Sequence, residues 1–407
     1  MNILILSQYY HPEPLPKIHE LAESLAKKNH SVTVITGFPN YPKGAVFEGY
    51  KQTIFKRERI NGVEVIRLPL FPDHSRSVLR RLLNYGSFAL SVSILGPIFI
   101  KKIDVMYVWH PPLTVGIPAI LLGMVMRIPF LYAVHDLWPD SAVAIGMLKE
   151  NKFVSLLRIF EKFVYRRASI VGVSSKGFMN PILQKNVPKE KIRLLTDWAD
   201  GSVYRPLPKD ICIAKEKGMD GKFNVVFGGQ LGIAQGLLTL IEAAKLLKNY
   251  DNIQIVFVGD GVMKETLEKE KHKLGLDNVL FLGRLPIQDM SDIYAIADVL
   301  IVHLTSGFFS SLSIPGKTYS YMACGKPILM AADGVAADLI TDHHAGETCE
   351  PENPQRLAET ILKMESLDPH ILKSMGEAGL TAFKENYSRR VSVDVHESIL
   401  KEIAKQR

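Results

Sequence analysis

Apolar residues fall along this chain in short runs closed by glycine, proline or polar turns. Ile3–Leu6, Ser31–Ile35, Val63–Leu68, Val105–Trp109, Phe130–Val134 and Ile170–Val173 are β-branched or aromatic and bounded by breakers, which predicts strands. Between the first two, Ile18–Lys28 carries Leu21, Leu25 and Ala26 at helical spacing. The pattern restarts at the strand Asn224–Gly228. Helix Leu237–Lys248, strand Gln254–Val258, helix Val262–Leu274, strand Val279–Leu282, helix Gln288–Ala297 and strand Val299–His303 follow. A helix opening at Lys317 is stopped by Gly325-Lys326-Pro327 before the strand Ile328–Ala331. After a break at Asn386–Arg390, Val391–Lys405 reads as a last helix. Strands alternating with helices imply α/β architecture, with parallel sheets covered on both faces.

A chain of 407 residues is too long for one ordinary core. The restart predicts two domains, 1–200 and 201–386, with a linker around Trp198–Pro208. Neither half carries a GxGxxG nicotinamide fingerprint. The three cysteines, Cys212, Cys324 and Cys349, lack metal-ligand spacing and fit a reducing compartment. No basic stretch precedes the first apolar run, so the N-terminus reads as a strand and not as a signal peptide.

Charge changes the picture more. Residues 1–200 hold 26 Lys and Arg against 15 Asp and Glu, or +11, while the remaining 207 hold 23 against 27, or −4. The first half is therefore expected to meet something anionic. No basic run interleaved with aromatics favours nucleic acid, so a membrane surface fits better. Leu82–Ile100 is free of charge and flanked by Arg80-Arg81 and Lys101-Lys102. Two readings stand: a helix partly docked in a membrane with arginines at headgroup level, or a wholly buried helix of the first domain. A true span would cut an α/β domain in two.

The densest chemistry lies in Ser313–Ile328, SIPGKTYSYMACGKPI. A lysine at a helix N-terminus just after a strand-end loop suits an anion, because free amides and the helix dipole both favour negative charge. An ordinary strand–loop–helix–strand passage would use the same glycines and prolines, and physics alone leaves both open. This segment resembles the donor-binding core of the retaining glycosyltransferases of family four. There a PSK-type turn, a helix ending in MACGKP or similar, and the next strand hold a nucleotide-sugar diphosphate. SQYYHPEP (Ser7–Pro14), TGFPNYPKG (Thr36–Gly44), WHPPL (Trp109–Leu113), VHDLWPDS (Val134–Ser141), GGQLGIAQGL (Gly228–Leu237) and VGDG (Val258–Gly261) extend the resemblance nearly end to end. They point to a bacterial WbuB-like branch, associated with amino-sugar transfer in surface polysaccharide assembly.

The resemblance implies a GT-B fold: two facing Rossmann-like, doubly wound parallel-sheet domains with a cleft between them. The last helix, 387–407, would pack back on the first domain. It implies a donor site of Gly229, Gln230, Gln235, Arg284, Phe309, Ser310, Lys317 and Ser320. Gln230 and Gln235 stand where most members carry Arg and Lys, so Lys317 would bear more of the phosphate charge. A pair of glutamates common in the family is replaced by Leu312 and Ser320, with the backbone of Phe309–Leu312 as the expected substitute. His135 and Asp136 would be catalytic, His135 orienting the sugar and stabilising charge. Tyr10, Glu13, Asn40, Tyr41, Trp109, His110 and Trp138 would form the acceptor side, with His11 and Asp140 near it. Asp136 and Asp140 do not have DxD spacing, so neither metal nor cofactor is expected.

The expected partners are a nucleotide-sugar, most simply UDP-linked with an N-acetylated amino sugar, and a polyprenyl-diphosphate-linked acceptor. The basic first domain would meet the inner membrane surface, making the protein cytoplasmic and peripheral. A sugar-nucleotide epimerase of the same architecture, or a degenerate sugar-nucleotide-binding subunit, are the alternatives.

Overall fold

The computed structural model describes residues 1–75, 77–144 and 146–405. The chain divides into two compact units. Unit 1 is Met1–Ser174, Phe178–Leu195 and Val393–Arg407, and unit 2 is Ser175–Gly177 and Thr196–Ser392. The division thus falls a few residues ahead of the expected boundary at 200. The return to unit 1 lies inside helix Arg389–Ala404. Residues 387–392 of the stretch expected on the first domain belong to unit 2, and 406 and 407 lie outside the described residues.

Unit 1 contains β1 (Asn2–Leu6), β2 (Ser31–Gly37), β3 (Lys56–Ile60), β4 (Val63–Leu68), β5 (Val105–His110), β6 (Phe130–Val134), β7 (Ile170–Val173) and β8 (Ile192–Leu194). They form one sheet in the order β3-β4-β2-β1-β5-β6-β7-β8. A wholly parallel sheet was expected, and it is parallel except at one edge, where β3 runs antiparallel to β4. Asn61 and Gly62 join the two with positive φ, as a two-residue hairpin requires. Every residue of β5 is buried, which is why its run VMYVWH shows no polar alternation.

Unit 2 contains β9 (Phe223–Gly228), β10 (Ile253–Val258), β11 (Val279–Gly283), β12 (Val299–His303), β13 (Ile328–Ala331) and β14 (Gly346–Cys349). All pairings are parallel, in the order β11-β10-β9-β12-β13-β14. Successive side chains go to opposite faces. Val226, Val256, Leu300 and Met330 pack with Tyr294, Tyr321 and Met322, while Val225, Phe227, Ile255 and Phe257 pack with Leu240 and Ile361. Each such large side chain contributes roughly 1.5–3 kcal/mol of burial. Lys326 donates to the carbonyls of Ala295 and Ala297 (2.7 and 2.8 Å), closing helix Met290–Ile296.

The order of the parallel strands reverses between β1 and β5 in the first sheet and between β9 and β12 in the second. The loops leaving those strands are the natural ligand sites of each unit.

Helix Val78–Phe99 is neither wholly buried nor detached from the domain. Asn84, Phe88, Ala89 and Val92 are buried, and the Asn84 amide receives a hydrogen bond from Gln8 (2.6 Å) and donates to the Phe71 carbonyl (2.7 Å). The opposite stripe, Leu79, Leu83, Leu90, Ile94 and Ile98, is exposed. It lies beside helix Gly116–Val125, which in turn adjoins helix Lys152–Arg167. Both neighbours also expose apolar residues, Leu121, Met124 and Val125 on one and Leu156, Ile159 and Phe163 on the other.

Candidate functional site

In unit 2 the loop after β9 is built on glycines whose backbone conformation strains any larger residue. Gly229 has φ 128°, and a Cβ there would stand 3.1 Å from the Lys317 ammonium. A Cβ on Gly259 would stand 1.8 Å from the Gly229 carbonyl oxygen, at φ 143°. The VGDG and GGQLG segments therefore interlock backbone to backbone. Gly259→Ala should destabilise unit 2 by about 2–4 kcal/mol, read as a lower urea midpoint; an unchanged midpoint would show that the loop can shift at little cost.

Gly229, Gln230 and Arg284 meet at a cavity of about 360 Å³, walled by Tyr204, Leu285, Met290 and Tyr294 and edged by Asp260. It suits a planar base, with an apolar wall and a polar mouth. Lys317 stands at the start of helix Gly316–Ala323, whose N-cap is Pro315 and which has no side-chain cap. Its ammonium lies 3.4 Å from the centre of the Phe227 ring. The residue as a whole is half-buried, but its Nζ is shielded from solvent and has no hydrogen-bond partner among the described residues. Burial lowers its pKa from the usual lysine range to about 7.

The other expected donor residues lie outside that cavity's lining. Phe309 and Ser310 are half-buried in the short helix Phe308–Ser311, and Ser320 is buried. The Leu312 carbonyl accepts from the Ser175 hydroxyl, so that oxygen is already engaged. Gln235 contributes its carbonyl, which accepts from His303 Nδ1–H at 2.7 Å. His303 Nε2 accepts from the Glu352 amide (3.2 Å), and burial lowers the ring's pKa. This neutral histidine fixes the loop. In the sequence its strand-end position is the one signal that could have marked it.

In unit 1, His135 follows β6 and stacks on Trp109 of β5, ring centres 3.8 Å apart. His135, Asp136 and Trp138 are half-buried. Glu13 has a different setting from the one expected. It is buried and accepts from the amides of Tyr10 (3.0 Å), Asn40 (2.8 Å) and Tyr41 (2.8 Å). Burial pushes its pKa up to about 7 while the amides pull it down, and three N–H donors on two oxygens fit the carboxylate. Glu13 ties the loop after β1 to the loop after β2.

Tyr10 and Asn40 are also buried, whereas Tyr41 is half-buried against Tyr9 and His74. His110 is buried, and burial, with His135 and Lys185 nearby, lowers its pKa to about 3, so the ring is neutral. Asp140 is held by Arg158 (2.6 Å) and Lys185 (2.8 Å). Arg67, missed in the sequence, is fully buried and joins the same loops. It donates to Glu58 (2.6 Å), the Gly37 carbonyl (3.2 Å) and the His11 carbonyl. No group of three or more His, Cys, Asp or Glu able to hold a metal occurs among the described residues.

Residues 16–198 match the glycosyl transferase 4-like domain, and residues 210–381 match glycosyl transferases group 1. WbjE of Pseudomonas aeruginosa, named a probable glycosyltransferase, is 28% identical over 281 residues, 67% of this chain and 68% of its own. WcaI of Escherichia coli, named for colanic acid biosynthesis, is 27% identical over 416 residues, 97% of this chain and 100% of its own. HepE of Anabaena in complex with UDP has a TM-score of 0.73 at 19% identity, covering 99% of this chain and 100% of that one. The Escherichia coli trehalose-6-phosphate structure bound with UDP-2-fluoro glucose has a TM-score of 0.75 at 13% identity, covering 99% of each. These structural likenesses show the GT-B fold. With a 4-like domain in its first half and a group 1 domain in its second, the chain belongs to the glycosyltransferases.

Proposed function

We propose that this enzyme is a retaining glycosyltransferase of the WbuB-like branch. It moves an N-acetylated amino sugar from a UDP donor to a polyprenyl-diphosphate-linked acceptor in surface polysaccharide assembly. The observation that carries the donor half is the Lys317 ammonium, shielded from solvent over the Phe227 ring, next to Gly229 and without a hydrogen-bond partner among the described residues. A buried cation without a counter-ion is costly unless a ligand supplies one. A diphosphate beside the Gly229 backbone does so, with the base in the adjoining cavity. HepE and the trehalose-6-phosphate structure hold UDP or a UDP-sugar, which supports UDP as the nucleotide. The relatives' names support polysaccharide assembly.

In the reaction, charge develops on the leaving diphosphate. Lys317 and the loop amides around Gly229 and Gln230 stabilise it without a metal. The leaving phosphate takes the acceptor hydroxyl's proton as the hydroxyl attacks from the same face. His135, its ring fixed by Trp109, orients the sugar and stabilises charge at the anomeric carbon. The acceptor's lipid suits an enzyme resting on the inner face of the cell membrane, cytoplasmic and peripheral. The exposed stripes of helices Val78–Phe99, Gly116–Val125 and Lys152–Arg167 support that placement.

A thermal-shift panel of UDP-, GDP-, ADP- and dTDP-sugars tests the donor. UDP-sugars should raise the melting temperature most, since a ligand that binds only the native state stabilises it by mass action. A larger shift with another nucleotide would overturn the UDP assignment.

A further inference from the structure

At the strand-start edge of unit 1, opposite His110 and His135, a second and larger basin opens. It measures about 660 Å³ and lies between the end of helix Gly116–Val125, the turn into β6 and the end of helix Lys152–Arg167. Its apolar floor includes Ile128 and Phe130, and three exposed arginines line it: Arg127, Arg166 and Arg167. Among the described residues no acidic side chain does so. Elsewhere in this unit Arg67, Arg158 and Arg193 each have a carboxylate partner, whereas none of these three does among the described residues.

Two arginines in the last turn of a helix are accounted for by the helix dipole. Arg127 is not. It occupies a left-handed position, φ 54°, which usually falls to glycine or asparagine. The backbone fixes it there: Ile128 N–H donates to the Gly123 carbonyl (3.1 Å), and Met106 N–H donates to the Pro129 carbonyl (3.0 Å). Lys191 donates to the carbonyls of Arg166 and Ala168 (3.1 and 3.0 Å), which fixes the other wall and adds a cation behind it. The rim runs through Met124 and Val125 into the exposed apolar stripes described above.

We infer that this basin binds the phosphodiester headgroup of an anionic phospholipid. The three guanidinium forks would engage the phosphate, and the acyl chains would lie along the rim of Met124 and Val125. Planar bidentate donors suit phosphate, and the apolar rim beside them suits a lipid better than a free anion. The assignment rests on the membrane-facing reading of the helical layer.

The test is partition of the full-length protein onto phosphatidylcholine vesicles with and without phosphatidylglycerol. Arg127→Ala/Arg166→Ala/Arg167→Ala should lower binding to the anionic vesicles about a hundredfold. The corresponding triple change to Lys, which keeps the charge and loses the fork, should still lower it about tenfold. Wild-type partition by the Lys triple would overturn the basin as a recognition site and leave only surface charge. Calorimetric titration separates the sources: short-chain phosphatidylglycerol should bind, and inorganic phosphate binding equally well would overturn the lipid assignment. Leu90→Glu/Ile94→Glu tests the underlying reading separately. If it leaves vesicle binding intact while the Ala triple abolishes it, the helical layer is not the docking face but the basin stands. Equal melting temperatures across the variants guard against misfolding.

Discussion

Lys317→Met should weaken binding of a UDP-sugar by about 1–3 kcal/mol, roughly fivefold to 150-fold, while making the unliganded protein more stable. The two effects have one cause. In the free protein burial lowers the lysine's pKa to about 7, far below its value in an unfolded chain. Between about pH 7 and the ordinary lysine range the unfolded chain therefore binds more protons than the native one. The penalty for burying the ammonium is full at and below pH 7 and fades as pH rises through that window, so stability climbs with pH. Methionine removes the penalty and the slope, and should raise the melting temperature at neutral pH.

Donor binding has the opposite dependence. The diphosphate diester does not titrate near neutrality, but it favours the charged lysine, so binding takes up a proton above pH 7. Affinity should fall as pH rises from about 7, and the Met variant should lack that fall. Calorimetry with a UDP-sugar at several pH values reads both. A Met variant with wild-type affinity would remove Lys317 from the donor site.

His135→Ala should lower kcat by about two to three orders of magnitude, the usual cost of losing one preorganised electrostatic contact in a transition state. The ring is held by stacking on Trp109, so Trp109→Phe, which keeps an aromatic face, should cost much less. Nucleotide affinity should change little in either variant, because the residues lining the cavity proposed for the base all belong to unit 2. Turnover by the alanine variant at the wild-type rate would exclude His135 from the reaction.

The sequence revealed the interior of both sheets and missed three of their four edge strands, β11 being the exception. β5, β6, β7, β12 and β13 are buried on both faces, and continuous apolar runs betrayed them. β3, β8 and β14 went unseen, and each is the terminal strand of its sheet. The β3 sequence, KRERI, reads as a polar loop because an edge strand carries charges that discourage pairing with another chain. Helices Pro354–Glu365 and Pro369–Ala382 were also passed over, although Asn353 and Asp368 cap them ahead of a proline in the first turn.

At the candidate site, Lys317 and the glycines were legible because backbone and charge demands appear directly as residue types. Glu13 and His110 suggested ligand contacts, but the structure buries both, Glu13 as a clasp between two loops. A polar residue near a strand end has the same letter whether it faces a ligand or a neighbouring amide. Arg67 and His303 escaped notice for the same reason.

The helix that returns to unit 1 also sets an order of events on the ribosome. Burial alone would push up the pKa of Glu397, but hydrogen bonds from Lys28, Lys401 and His30 hold it down at about 2. Lys28 and His30 emerge early and wait for a carboxylate made more than three hundred and fifty residues later. Every residue of unit 2 has by then been translated. The residues of the second unit are therefore all made before the first receives its last helix, and a chain truncated after Ser392 would keep every residue of unit 2 while leaving Lys28 and His30 without Glu397.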